Sequence, residues 1–382
     1  MFRPRIVDAL QPLVRVRPTT LPLTTIISRR PLTTSLRLLN EADKSRPQAS
    51  HPTKHESRPV SSGKPVAEHV KEDESKRSGL PEEPASGPPP QHPESSDEPA
   101  PLAALTAPQL FSLEGRTIVV SGGGRGLGLT VTHALLESGA SVACLDVLPE
   151  PSQPQWDKAL QLAESKALSL SYTKLDVTNQ DQVSTVFSTL FKDAESDRPI
   201  RGLFTSAGIQ VMMPAVDYSI EKFRKVLDVN ITGTFLCAQA FAREWFKLHP
   251  EPGPEEGQAG IGGASIVMTG SMSGRVANLG IECAPYNASK AGVNQLAKNL
   301  ALEWSRKGIR VNSLSPGYIR TALTAAQLDE KPELNQIWLQ GSLLGRLSTP
   351  DEFRGPVVYL LSDASSFMTG ADLLVDGGHC AT

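Results

Sequence analysis

From residue 111 onward the chain alternates short apolar runs with longer segments whose apolar residues recur every three or four positions. The stretch RTIVVSGGGRGLGLTVTHALLESGASVACLDV reads as an apolar strand over 117–121, a glycine turn, a helix of small and aliphatic residues closed by Gly139, and a second strand ending at Asp146. The alternation continues with a strand over 167–175 ending in Asp176-Val177, a helix over 181–191, and a strand over 200–206 running into Ala207-Gly208. A long amphipathic helical region follows from 220 to about 248, and a loop insertion, HPEPGPEEGQAGIGG, leads to a strand over 264–269. Then come a helix from 285 to about 306, a strand over 309–314, the segment SPGYIRT, a polar stretch to Ser348, a helix over 350–361 and a strand over 372–375. Strands that alternate with helices need crossover connections. The pattern therefore predicts an α/β fold, a single Rossmann-type doubly wound parallel sheet with helices on both faces.

Composition changes the picture at the N-terminal end. No Phe, Trp or Tyr occurs between Phe2 and Phe111, so the first 110 residues lack the means to build an ordinary core. Residues 1–40 hold seven Arg and one Asp among many Ser and Thr, the composition of a mitochondrial transit peptide. Prolines at 4, 12, 18, 22 and 31 limit any helix there to a short start, and the apolar runs are too short to span a bilayer. Residues 41–110 are rich in Pro, Ser, Glu and Lys and read as a disordered, solvated linker. Three segments are expected, then: 1–40, 41–110, and a globular domain over 111–382. Net charge is -3 overall, and outside the Arg-rich start the balance is acidic, which gives no footprint for nucleic acid.

The four cysteines, at 144, 237, 283 and 380, show no CxxC spacing and suit reduced thiols. Cys283, three residues before Tyr286, reads as a small hydrophobe or as a reactive thiol. Only His133, His249 and His379 fall in the globular part, without Cys or carboxylate at metal spacing, so no metal is expected and zinc-dependent alcohol oxidation is disfavoured.

Two constellations carry chemistry. Glycines 122, 126 and 128 sit between a strand and a helix, where they allow a tight turn, close approach of backbone to a pyrophosphate, and close helix–strand packing. Asp146, eighteen positions past Gly128 at the end of the next strand, is placed to accept from ribose hydroxyls and would repel a 2'-phosphate. Val147 beside it offers no cation. NAD is therefore expected, with NADP kept open by Arg125 in the loop.

The second constellation is SMSGRVANLGIECAPYNASK. On a helix, Tyr286 and Lys290 share a face, an ammonium beside a phenol. Bringing a tyrosine from about 10 to about 7 takes roughly 4 kcal/mol, much of which the lysine is expected to supply. Such a tyrosine exchanges a proton with a substrate oxygen, and Ser271 would hold that oxygen. Taken alone, the pair reads as a core-edge aromatic beside a snorkelling cation. Asn230, inside DVNITGTF, is unfavourable in a helix; a solvent-facing position or a kink around a water are the two explanations. The polar stretch before Ser348 is expected to be a mobile lid.

In order and spacing these pieces resemble the short-chain dehydrogenase/reductase family over about 112–379. SGGGRGLG is similar to its T-G-x-x-x-G-x-G, with Ser121 for Thr. Tyr286 and Lys290 match Tyr-x-x-x-Lys, Ser271 the catalytic Ser, and Asn230 the helix Asn of the proton relay. The resemblance implies cofactor contacts from Ser121, Gly122, Arg125, Gly126, Leu127, Gly128, Asp146, Asp176, Val177, Ala207, Gly208, Asn230, Tyr286, Lys290, Pro316, Gly317, Ile319 and Thr321. It departs at Thr205-Ser206-Ala207-Gly208, where the family has N-N-A-G, and in the fifteen residues from Ser271 to Tyr286. It implies hydride transfer between NAD(P) and a secondary alcohol or ketone, in a homodimer or homotetramer built on the helices near 220–248 and 286–306. The runs around these motifs resemble fungal polyol and sugar reductases, pointing to a pair such as D-arabinitol and D-ribulose. An NADPH-dependent reductase of an aromatic or secondary-metabolite ketone, and a non-catalytic NAD-binding scaffold, are the alternatives.

Overall fold

The structure, a computed structural model, describes residues 101–250, 262–321 and 331–381 together with 324, 325 and 328. The expected transit segment, nearly all of the expected linker and most of the 249–263 insertion lie outside the described residues. The linker's last ten residues do carry structure: a 3₁₀ turn at Pro101–Ala104 and one turn of helix, α1 (Ala107–Leu110), in which Thr106 and Gln109 cap each other. The core begins with Leu113, which is fully buried.

Seven parallel strands follow: β1 (Thr117–Ser121), β2 (Ser141–Asp146), β3 (Leu170–Lys174), β4 (Ile200–Thr205), β5 (Ala264–Thr269), β6 (Ile309–Pro316) and β7 (Asp372–Val375), in the spatial order β3-β2-β1-β4-β5-β6-β7. Successive side chains of a strand point to opposite faces, and here both faces are covered. Ile118, Val120, Cys144 and Phe204 pack on one side, while Val119, Leu145, Leu203 and Ile266 pack on the other. This is why these strands read as continuous apolar runs rather than as an alternation. The first side is covered by α2 (Gly126–Glu137), α3 (Gln155–Ser165) and α9 (Arg354–Leu361). The second is covered by α4 (Gln180–Asp193), α6 (Thr234–Leu248) and α7 (Ala284–Trp304). The chain winds outward from β1 in one direction and from β4 in the other, which opens a crevice beyond the carboxyl ends of those two strands.

The structure departs from the sequence reading in four places. First, α3 occupies 155–165, where no element was expected; its Trp156, Ala159 and Ala163 recur at helical spacing and are buried. β3 then begins at Leu170 rather than 167, because Ala167 takes φ 52° and turns the chain after α3. Second, the expected single helix from 220 to 248 is α5 (Ile220–Leu227), a π-helical segment at Asp228–Gly233, and α6. Third, β6 runs two residues past Leu314, because Ser315 and Pro316 still have partners on β7. Fourth, the expected loop before Ser348 contains α8 (Glu333–Gly341), anchored by buried Leu334 and Trp338 one turn apart. Among the described residues no helix is long and apolar enough to cross a membrane.

Candidate active site

The crevice continues into one long cleft running from the β1–α2 turn to α8. At its first end Gly122 has φ 71°, and a Cβ there would collide with the backbone of Ala207. A Cβ on Gly128 would collide with the carbonyl oxygen of Gly122, so only glycine lets α2 start this close to β1. Gly126, with φ 54°, is exposed in the cleft wall, and there the first turn of α2 begins, with N–H groups that have no partner inside the helix. That is the form of an anion cradle. Arg125, at the cap position with an extended backbone, and Leu127 line it.

Asp146, 8 % exposed, accepts from the Gly124 N–H at 3.0 Å and the Leu148 N–H at 3.1 Å. These bonds fix the carboxylate at the cleft wall beside exposed Val147. Asp176 is exposed, and its Oδ1 accepts from Thr178 N and Oγ1, leaving Oδ2 available. Val177, Ala207, Gly208, Pro316, Gly317, Ile319 and Thr321 all border the cleft. Ser121 does not: it is 1 % exposed and its hydroxyl lies near the Cys237 thiol, so its part is structural and not a cofactor contact. Gly128 likewise acts through packing. A glycine cradle, a fixed carboxylate and these walls match the shape and polarity of a dinucleotide.

At the other end, Ser271 follows β5 as the cap of a 3₁₀ turn, its Oγ accepting from Ser273 N at 3.1 Å. Pro285 sits in the first turn of α7, and the helix sets Tyr286 and Lys290 one turn apart. The Ser271 hydroxyl lies near enough to the Tyr286 phenol to favour its ionised form. Ser271, Tyr286 and Lys290 all face the same cleft.

Electrostatically the pair differs from expectation. Burial raises the Tyr286 pKa above its ordinary value, with the Ser271 hydroxyl pulling it down. Burial also pushes the Lys290 ammonium down, to about 8. Lys290 Nζ donates to the Thr269 carbonyl at 2.7 Å and lies 5.7 Å from the centre of the Tyr286 ring. The lysine therefore does not by itself bring the phenol to neutrality, because it too is desolvated and its nearest acceptor is a carbonyl.

Asn230 is fully buried, which overturns the solvent-facing reading. Its Oδ1 accepts from Ile209 N at 2.8 Å, and its Nδ2 donates to Ile209 O at 3.0 Å and to Ser289 Oγ at 2.9 Å. Ser289 Oγ donates in turn to Tyr286 O at 2.7 Å. The side-chain amide is thus spent on joining the π-helical segment to the segment after β4 and to α7, and it does not line the cleft. Cys283 is buried with a raised pKa, and donates to Asn287 Oδ1 at 3.0 Å, as a packed thiol does rather than a nucleophile.

The sequence reading passed over Asn278, Tyr318 and Trp338, which complete the cleft beyond Tyr286. Tyr318 stacks on Trp338 with centroids 4.2 Å apart and an interplanar angle of 9°. Its hydroxyl accepts from Asn278 Nδ2 at 3.1 Å. Nothing local marks these residues; only the return of the chain through α8 brings them to the site.

A family model described as enoyl-(acyl carrier protein) reductase matches residues 122–380. A short-chain dehydrogenase/reductase of Aspergillus versicolor, notP', is 47 % identical over 282 residues, covering 73 % of this chain and 91 % of the relative. An NADH-dependent L-xylulose reductase of Ambrosiozyma monospora is 38 % identical over 276 residues, covering 70 % of this chain and 96 % of that one. Among solved structures, a gluconate 5-dehydrogenase from Burkholderia cenocepacia in complex with NADP and tartrate superposes with a TM-score of 0.62 at 29 % identity, over 72 % of this chain and all of that one. With the glycine cradle, the parallel sheet and the Ser271–Tyr286–Lys290 cluster already in view, these matches show that the chain belongs to the short-chain dehydrogenase/reductase family of oxidoreductases.

Proposed function

We propose that the protein is an NAD(H)-dependent oxidoreductase interconverting a secondary alcohol and a ketone, with polyols and ketoses such as D-arabinitol and D-ribulose as its substrates. The observation that carries the reading is the meeting of Ser271, Tyr286 and Lys290 in one cleft with a glycine cradle at its far end. A bound oxidised nicotinamide supplies the hydride acceptor and a positive charge that favours phenolate. Tyr286 Oη exchanges the proton of the substrate hydroxyl, and Ser271 Oγ bonds the same oxygen and orients it. Lys290, held by the Thr269 carbonyl, adds positive charge beneath the phenol. With its side chain committed to Ile209 and Ser289, Asn230 supports the site by holding the π-helical segment against α7.

The fixed Asp146 carboxylate favours NAD, since a 2'-phosphate beside it would meet a like charge with no cation on Val147. Polyol substrates are supported by a chain of polar side chains at the substrate end. Cys283 donates to Asn287 at 3.0 Å, Asn287 donates to Asn278 at 2.9 Å, and Asn278 donates to the Tyr318 hydroxyl at 3.1 Å. Gln210, Asn278 and Tyr318 border the cleft and offer donors and acceptors to hydroxyls. The second reading, NADPH-dependent reduction of an aromatic or secondary-metabolite ketone, is favoured by Met272, Ile281 and Trp338 in the same walls.

The test is an initial-rate comparison of NADH and NADPH against ketoses and aromatic ketones, with Tyr286→Phe as control. The variant is expected to bind NADH and to lose turnover; retained turnover refutes the mechanism, and faster rates with NADPH refute the part given to Asp146. We further propose that residues 1–40 direct the protein to mitochondria, refuted if their fusion to a fluorescent protein stays cytosolic. Assembly through the outer face of α7, where Leu302 is 87 % exposed, is refuted by a monomer in gel filtration.

A further inference from the structure

Behind the cleft, and not lining it, lies a buried polar cluster centred on Asp372, the first residue of β7. Its side chain is 6 % exposed. Oδ1 accepts from Ser313 Oγ at 2.9 Å and Ser315 Oγ at 2.6 Å, both on β6. Oδ2 accepts from Asn294 Nδ2 at 3.0 Å on α7, and from Arg275 Nε at 2.8 Å with Nη2 at 2.7 Å. A carboxylate this deep is costly unless its lone pairs are used; here four side chains use them. Those donors come from three different walls of the site. Arg275 closes the 3₁₀ turn begun by Ser271, Asn294 is one turn beyond Lys290, and β6 leads into Pro316-Gly317.

We infer that Asp372 is a positioning residue for the reaction: it ties the Ser271 turn, the Tyr286–Lys290 helix and the end of β6 into one register. The inference rests on the oxidoreductase reading above. Two close approaches show how it acts on the reacting groups. A Cβ on Gly270, the residue before Ser271, would collide with Asn294 Oδ1. A Cβ on Gly274 would lie 2.7 Å from Ala291 N and from the carbonyl carbon of Lys290. The Ser271 turn therefore rests directly on α7, with no slack to absorb a shift of Asn294 or Arg275. Removing the negative charge leaves the Arg275 and Asn294 donors opposed, and the turn and helix separate.

Three variants of the full chain test this: Asp372→Asn, Arg275→Gln and Arg275→Lys. Arg275 is 41 % exposed, so its variants keep the fold even where Asp372→Asn does not. The expected result for Asp372→Asn and Arg275→Gln is a kcat lower by about 10- to 100-fold, the scale of a displacement near 1 Å. The Kd for NADH should stay within about twofold, as the cradle is remote. The primary deuterium isotope effect on kcat should rise and the pH profile of kcat should shift, with Arg275→Lys restoring most of the loss. Unchanged kcat in folded variants overturns the inference. So does a loss that merely follows the unfolded fraction, with isotope effect and pH profile as in the native protein. Should the native protein turn over no alcohol or ketone, the functional reading fails. The inference is then decided by the Tyr286 phenol titration, taken as native minus Tyr286→Phe absorbance: a shift in Arg275→Gln supports it and none refutes it.

Discussion

Replacing Lys290 by Met should expose how strongly the fold is strained by a buried charge. Burial lowers the lysine pKa from 10.5 to about 8, so the folded chain binds this proton more weakly than the unfolded chain does. The sign follows: stability is reduced below pH 8 and is recovered as pH rises through the interval between the two values. At about 1.4 kcal/mol per unit, holding the ammonium at pH 7 costs on the order of 3 kcal/mol, of which roughly 2.5 is recovered by pH 10. Met has similar length and no charge. The variant gives up the bond to the Thr269 carbonyl, worth about 1 kcal/mol net, at every pH. Urea midpoints of the two proteins, taken at one protein concentration from pH 7 to 10, should show Lys290→Met more stable at pH 7 by about 2 kcal/mol, with the advantage vanishing toward pH 10. It should bind NADH and turn over nothing. Parallel stability curves across this range would refute the burial argument, because a solvated lysine gives no such crossing.

Two further outcomes follow from close packing near the site. Gly128→Ala forces a methyl against the Gly122 carbonyl, and should cost about 1–3 kcal/mol in urea denaturation and weaken NADH binding in a fluorescence titration; native affinity would show that α2 need not start so close to β1. Asn230→Ala leaves the Ile209 N–H and C=O and the Ser289 hydroxyl without their partner, and should lower stability by roughly 2–4 kcal/mol. A loss under about 0.5 kcal/mol would mean that water replaces the amide at that point.

Local chemistry explains what was legible from residues alone. Strands buried on both faces must be largely apolar, so β1 and β5 are found at their observed bounds. The glycine turn is equally visible, because no other residue fits φ 71° at 122 or the contact at 128. Less visible were elements whose existence depends on what they pack against. α3 is anchored through Trp156, edge-on to Tyr172 at 5.5 Å, and α8 through Trp338 on Tyr318; neither contact lies within one local window.

The sequence by itself determined the succession of the seven strands, the glycine cradle, and the presence of Ser271, Tyr286 and Lys290 at workable spacing, since each depends on residues within a few turns of one another. Only the tertiary structure decided that Asn230 is spent on the Ile209 backbone, that Lys290 is desolvated along with the phenol it serves, and that Asp372 underlies the site from a strand 82 residues past Lys290. Burial and hydrogen-bond partnership are properties of segments brought together across the sheet, and no stretch of chain carries them alone.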